Sequence, residues 1–372
     1  MLLEKNTLNL PTGSYVTSIK HSEVTEHFLT GLAMPRESPA EMFERLDALL
    51  AVLDSPNILR MDILGKVNTR GTEGLQQRYC YNCNECRLNH TLPDSLDKCP
   101  MAGVYVHAVT GGAMKPVWLG GQLVGNEFRD QHARYVLLDN LHPEAHLNKG
   151  AQTHQLFERM EDALRGMRMS FDNVARTWLY LDDILAWYDE FNQARTGFFE
   201  PREVFKKMVP ASTGVGGANS MGTAIQASVL AVEALSDQTT IRAVPSPLQC
   251  PALDYESSFS RAVEIATPGI KRLYISGTAS IDPDGATIHI DDIEAQIAYT
   301  MEVVQAILSA QGMDWNDVVR GVAYVKRRKD FDRFTEYCET HQLPDMPVGL
   351  VQNDVCRDDL LFELEVDAIK KT

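Results

Sequence analysis

The chain has 372 residues, long enough for two or three domains, and its 44% hydrophobic and 23% charged residues exclude a disordered, collagen-like or coiled-coil protein. Lys plus Arg number 35 against 51 Asp plus Glu, a net charge of −16 that repels phosphate backbones, so neither nucleic acid nor an anionic membrane is expected as a partner. No apolar run approaches the roughly 20 residues of a bilayer span and no leader pattern opens the chain, so a soluble, cytoplasmic protein is expected.

In chain order, Tyr15 to Ile19 and His27 to Gly31 read as a hairpin, SPAEMFERLDALLAVL (38–53) as an amphipathic helix and ILRMDIL (58–64) as a strand. Residues 70–100 then carry Cys80, Cys83, Cys86 and Cys99, a CxxCxxC run with a distant Cys-Pro. Thiolates held so close need a cation. The spacing fits an Fe–S cluster; tetrahedral zinc and unligated thiols are the other readings. GGQLVGN punctuates the chain near residue 125, and the prolines of AVPSPLQCP mark a second boundary between 240 and 250.

An internal repeat organises the remaining two-thirds of the chain. Adding 144 to Gln152, Leu164, Met169, Val174, Arg176 and Tyr180 lands on Gln296, Leu308, Met313, Val318, Arg320 and Tyr324. Each copy reads as a helix followed by a strand: Leu156, Met160 and Leu164 then Ala175 to Leu181, and Ile293, Ile297, Met301, Val304 and Leu308 then Val318 to Val325. Phe43-Glu44-Arg45, standing 114 residues before Phe157-Glu158-Arg159, suggests a third, weaker copy. Three α+β units are therefore expected, at 1–125, 126–240 and 250–372.

A unit ordered strand, strand, helix, strand, helix, strand resembles the RidA/YjgF family (endoribonuclease L-PSP), best seen in RLYISGTASI, IEAQIAYTMEVVQAILSAQGM, DVVRGVAYV, DFDRFTEYCETH and LLFELEVDAI. Its members are homotrimers with pockets between subunits, so the resemblance implies a pseudo-trimer built from one chain, present as a monomer or a low-order homo-oligomer. The arginine of the deaminating members is replaced here by Val348 or Gly349, and by Ser212 in the middle unit, which removes the key residue of imine deamination. Over residues 130–370 the chain is similar to the chorismatases, relatives that remove pyruvate from chorismate. The similarity rests on residues 176–199 (RTWLYLDDILAWYDEFNQARTGFF), 210–216 (PASTGVG), 246–265 (SPLQCPALDYESSFSRAVEI), 276–285 (SGTASIDPDG) and 356–368 (CRDDLLFELEVDA). Residues 1–125 carry no chorismatase motif.

In the last strand Phe362, Leu364, Val366 and Ala368 alternate with Glu363, Glu365 and Asp367; alternation alone puts the acidic face in solvent. The resemblance instead places the family's catalytic glutamate at Glu363, where a desolvated carboxylic acid would protonate the enolpyruvyl methylene. Cys356 reads by itself as a small buried hydrophobe; by resemblance it favours 3-hydroxybenzoate over a dihydrodiol product. A dicarboxylate substrate calls for an arginine fork, best supplied by Arg195, with Tyr180 and Tyr188 as walls and Thr213, Gly214 and Gly216 approaching through their backbone. Arg176 and Arg320, equivalent in the repeat, suit a shared structural role. The leading expectation is a chorismatase-like enzyme acting between the middle and last units on a small carboxylate, with no cofactor needed for that chemistry and an Fe–S cluster, or zinc, on the four cysteines. The alternatives are an Fe–S or zinc enzyme centred on the cysteines, with an open coordination position, and a non-catalytic metabolite-binding protein.

Overall fold

The computed structural model describes residues 2–5, 10–21, 23–65, 83–84 and 101–372. Its strands form three sheets of six among the described residues. The first holds β1 (Leu2–Lys5), β2 (Ser14–Lys20), β3 (Val24–Leu32), β4 (Asn57–Gly65), β5 (Cys83–Asn84) and β6 (Met101–Gly111). The second holds β7 (Lys115–Leu119), β8 (Gln122–Arg129), β9 (Ala133–Leu141), β10 (Val174–Leu181), β11 (Ala211–Gly216) and β12 (Ile225–Ala234). The third holds β13 (Thr240–Val244), β14 (Ala262–Thr267), β15 (Ile270–Ala279), β16 (Val318–Val325), β17 (Val348–Gln352) and β18 (Phe362–Lys371). In each, the order across the sheet is first, second, third, sixth, fourth, fifth. The fourth and fifth strands pair in parallel and the other neighbours antiparallel. One topology repeated three times is the expected α+β architecture of fused RidA-like units, and it includes the N-terminal copy.

A helix links the third and fourth strands of every unit: α1 (Pro39–Val52), α2 (Lys149–Gly166) and, in the third unit, Ile293–Ala310. The first is started by a capping box. The Ser38 side chain accepts from the Glu41 N–H, the Glu41 carboxylate accepts from the Ser38 N–H, and Pro39 needs no donor there. A further helix, α3 (Tyr188–Phe199), lies between the fourth and fifth strands of the second unit.

Where the chain was expected to break, near residue 125, it makes a hairpin instead. Gly120 and Gly121, at φ 57° and 82°, form the two-residue turn joining β7 to β8, whose ends pair as Leu119 with Gln122. Positive φ at both turn positions is what glycine supplies most readily. The second sheet thus starts at Lys115, and β13 carries the third back to Thr240.

The outer faces of the second and third sheets pack on their own helices, forming two separate cores around Phe157 and Phe198 and around Val304 and Phe362. The inner faces meet one another, with Trp178, Tyr180, Tyr274 and Tyr324 joining the core of the first unit. The fifth strand of each unit leans on the next: β11 on β15, β17 on β6 and β5 on β9, closing a ring. Charge is concentrated near its centre. Arg60, Arg176 and Arg320 each follow a register shift in the fourth strand and are all buried. Arg60 pairs with Asp62 and Asp139, Arg176 with Glu365, and Arg320 with Glu365, Asp367 and Asp62.

Candidate active site

A cavity of about 790 Å³ opens between the second and third sheets. One wall is the start and middle of α3 with Ser212 and Gly214 of β11; the other is the 253–261 segment, Gly277 of β15, Cys356, Arg357 and Glu363 of β18. Glu363, Glu365 and Asp367 do not face solvent as alternation alone suggests: they are 4%, 0% and 6% exposed, because the polar face of β18 is covered by the neighbouring unit.

Burial, followed by the nearby Glu365 carboxylate, pushes the Glu363 carboxyl up to about 8, against the opposing pull of Arg176. Glu363 is therefore an acid with a proton to give at neutral pH. Gly277 makes room for it: a Cβ at that position would collide with Glu363 Oε1 and stand 2.8 Å from Cδ. Burial and then Glu363 push the Cys356 thiol up to about 12, partly offset by Arg357 and a hydrogen bond from Tyr188, so Cys356 is a neutral thiol. Tyr188 also bonds to Arg195.

Around this neutral pair stand guanidinium groups that lack carboxylate partners among the described residues. Arg195, 2% exposed, donates through Nη2 to Asn192 at 2.6 Å, while its Nε has no partner. Arg261, 3% exposed, donates through Nε to the Cys250 carbonyl at 3.0 Å and leaves Nη2 without one. Arg357 bonds the Gly285 carbonyl, and Arg261 and Arg357 each lie 5.3 Å from the Tyr255 ring, whose hydroxyl is also unpartnered. A buried guanidinium without a counter-charge is costly unless an anion arrives. The acidic side chains Asp189, Glu200 and Glu256 also line the cavity but are exposed.

Of the residues expected from sequence, Tyr188, Arg195, Gly214, Cys356 and Glu363 come together in this cavity. Thr213 stands behind it, accepting from the Gly277 N–H at 2.9 Å and from Arg176 Nη2 at 2.5 Å. Gly216 lies elsewhere: its N–H bonds the Asp354 carbonyl and its own carbonyl accepts from the Asn353 side chain at 2.6 Å. Tyr180 is a core residue, 4% exposed, because its parity on β10 aims it between the sheets. Arg261, Tyr255, Arg357 and Gly277 were not among the expected site residues, although all four lie within the chorismatase-like segments. Cys80, Cys86 and Cys99 lie outside the described residues; the backbone of Cys83 pairs with Met61. Among the described residues no group of three or more His, Cys, Asp or Glu side chains is placed to hold a metal ion.

Among the described residues, the other two units have no acid at the equivalent position. Glu363 pairs with Tyr324, four residues after Arg320; the positions four residues after Arg176 and Arg60, Tyr180 and Leu64, pair with Gln226 and Gly103. Between the third and first sheets, Tyr105 fills the gap. Its hydroxyl donates to the Gly321 carbonyl and accepts from the Gly349 N–H at 2.7 Å.

Residues 251–370 match the family Endoribonuclease L-PSP. The chain is 27% identical over 222 residues to a chorismatase of Streptomyces rapamycinicus, covering 53% of this chain and 64% of that one. It is 26% identical over 237 residues to a 3-hydroxybenzoate synthase of Streptomyces hygroscopicus, covering 56% and 66%. The chain thus spans just under two-thirds of the length of these relatives. A chorismatase crystal structure superposes with a TM-score of 0.60 at 20% identity, covering 84% of this chain and 93% of that one, which is a likeness of fold. A RutC family protein of Saccharolobus solfataricus is 35% identical over 100 residues, which are 26% of this chain but 79% of that protein. With the repeated topology and the L-PSP match, this places the chain in the RutC family, the RidA/YjgF (L-PSP) superfamily.

Proposed function

We propose that the cleft between the second and third sheets removes pyruvate from chorismate, with Glu363 as the general acid. The observation that carries this reading is a buried, protonated carboxyl in a cavity whose guanidinium groups lack carboxylate partners. Such a site suits a dianion that must accept a proton on carbon. Glu363 protonates the methylene of the enolpyruvyl ether, leaving an oxocarbenium-like centre at the ether carbon; water adds there, and collapse of the hemiketal breaks its bond to the ring oxygen, releasing pyruvate and the ring hydroxyl. Arg195 and Arg261 hold the two carboxylates, and Tyr188 and Tyr255 orient the ring. Cys356 directs the outcome towards 3-hydroxybenzoate, which needs no net water, rather than the dihydrodiol, which takes up one. The names of the chorismatase and 3-hydroxybenzoate synthase relatives support this choice. No step uses the four cysteines, and the ring of three fused units supplies within one chain the pocket walls that separate subunits would otherwise bring.

The test is incubation of the purified protein with chorismate, following pyruvate enzymatically and the aromatic product by chromatography. Pyruvate with 3-hydroxybenzoate is expected, and Cys356→Ala should shift the product towards the dihydrodiol more than it slows pyruvate release. Absence of pyruvate from the wild-type protein contradicts the reading.

A further inference from the structure

Of the three carboxyl groups on one face of β18, two sit in very different surroundings. Glu363 and Glu365 are two residues apart, a rise of about 6.6 Å along the strand. Glu365 is 0% exposed and is gripped on both oxygens, by Arg176 Nη2 at 2.7 Å and by Arg320 Nη1 at 2.9 Å. The Thr213 hydroxyl, which accepts from Arg176 and from the Gly277 N–H, bonds Glu365 as well. Glu363 has no guanidinium within ion-pair distance among the described residues. When two neighbouring buried carboxyls differ in this way, the one with the cations ionises. Its fixed negative charge then adds to burial in holding a proton on the other.

We propose that Glu365 is a positioning residue: held on both oxygens by Arg176 and Arg320 as a carboxylate, it reinforces burial in keeping Glu363 in its acid form. This rests on the reading of Glu363 as the proton donor and extends it to residues outside the cavity. The other titratable groups that sense Glu363 are Cys356 from the loop before β18, Tyr188 from α3 and Tyr324 from β16. Burial raises all three, so they stay neutral at pH 7. Glu365 also faces Tyr105 and Asp367, both raised by burial. Arg176 pulls Glu363 in the opposite direction from Glu365, which gives the arrangement two levers of opposite sign. Arg320 is in turn held by Asp62 at 3.6 Å, so the first unit is connected to the acid without touching its cleft.

The experiment is an infrared pH titration of the full-length protein without substrate, following the protonated-carboxyl band that Glu363→Gln removes. The wild-type midpoint is expected near 8. In Glu365→Gln it should fall by about one unit or more, and in Arg176→Met it should rise. The basic limb of the pyruvate-release profile should move with it. Because the directions are opposite, either variant decides the matter if the other fails to fold. A Glu363 band whose midpoint stays put, with turnover reduced evenly at every pH, overturns the proposal and leaves Glu363 as the acid. A band that moves as described in a protein releasing no pyruvate supports the positioning role and removes the chorismatase reading instead.

Discussion

Glu363 holds a proton in the folded protein that it would release in the unfolded chain, and this ties the chemistry to stability. Its carboxyl is raised from the ordinary 4.5 to about 8. Between those values the folded state binds one more proton than the unfolded state, so the Glu363 contribution is fully present below about 4.5 and is lost as pH rises through 8. Wild-type stability should therefore fall relative to Glu363→Gln by about 1.4 kcal/mol per pH unit across that window, read from urea midpoints at several pH values. Parallel curves would mean that Glu363 titrates normally. At this scale the sequence was informative where chemistry is unusual for its place: Glu363, Arg195 and Cys356 lie in recognisable segments and meet in the cavity. It was uninformative for Tyr180 against Tyr188. All eight residues of β10 are buried, so a period of two cannot say which side of the strand is core and which is cleft. Arg261 and Tyr255 lie about a hundred residues before Glu363 in the chain and meet it only through tertiary packing, a contact that local pattern does not encode.

The site depends on how closely its strands approach. Gly277 of β15, in the register shift beside the Ala279–Glu363 pair, stands against the Glu363 carboxyl, with Thr213 Cγ2 only 3.2 Å from where a Cβ would stand. Gly277→Ala should push the carboxyl out of line and lower kcat by about 10²-fold, the cost of a small misplacement of a catalytic group, without unfolding the protein. Gly166→Ala, at the end of α2 with nothing within 4 Å, is the control and should leave turnover intact. Equal turnover in Gly277→Ala and wild type would show that Glu363 needs no such space. The long helices and central strands were legible because their apolar spacing is regular; Pro39–Val52, Ile293–Ala310 and Val318–Val325 fall within two or three residues of expectation. Short edge strands were not. β7 contains Pro116, and β13 runs straight into Pro245 of the segment read as a boundary; edge strands tolerate both.

As a whole, the molecule is a ring of three similar units in which one interface carries the acid and another is sealed. Fusion permits this, because each cleft can diverge without altering the other two. Tyr105 links the first and third sheets through backbone groups of Gly321 and Gly349. Tyr105→Phe should leave those buried groups unsatisfied and cost about 1–3 kcal/mol, seen as a lower urea midpoint; an unchanged midpoint would show that the seal contributes nothing to stability. The repeat was legible at this scale because Arg176 and Arg320 recur at constant spacing. The first copy was fainter because it retains the topology and Arg60 with few other matches. The central claim is that the cleft between the second and third sheets delivers a proton from Glu363 to chorismate. Its most direct test is pyruvate release by Glu363→Gln beside the wild-type protein, with chorismate affinity measured separately by calorimetry. A fall in turnover of about 10² to 10⁴ with binding retained is predicted; undiminished turnover in the variant would contradict the account.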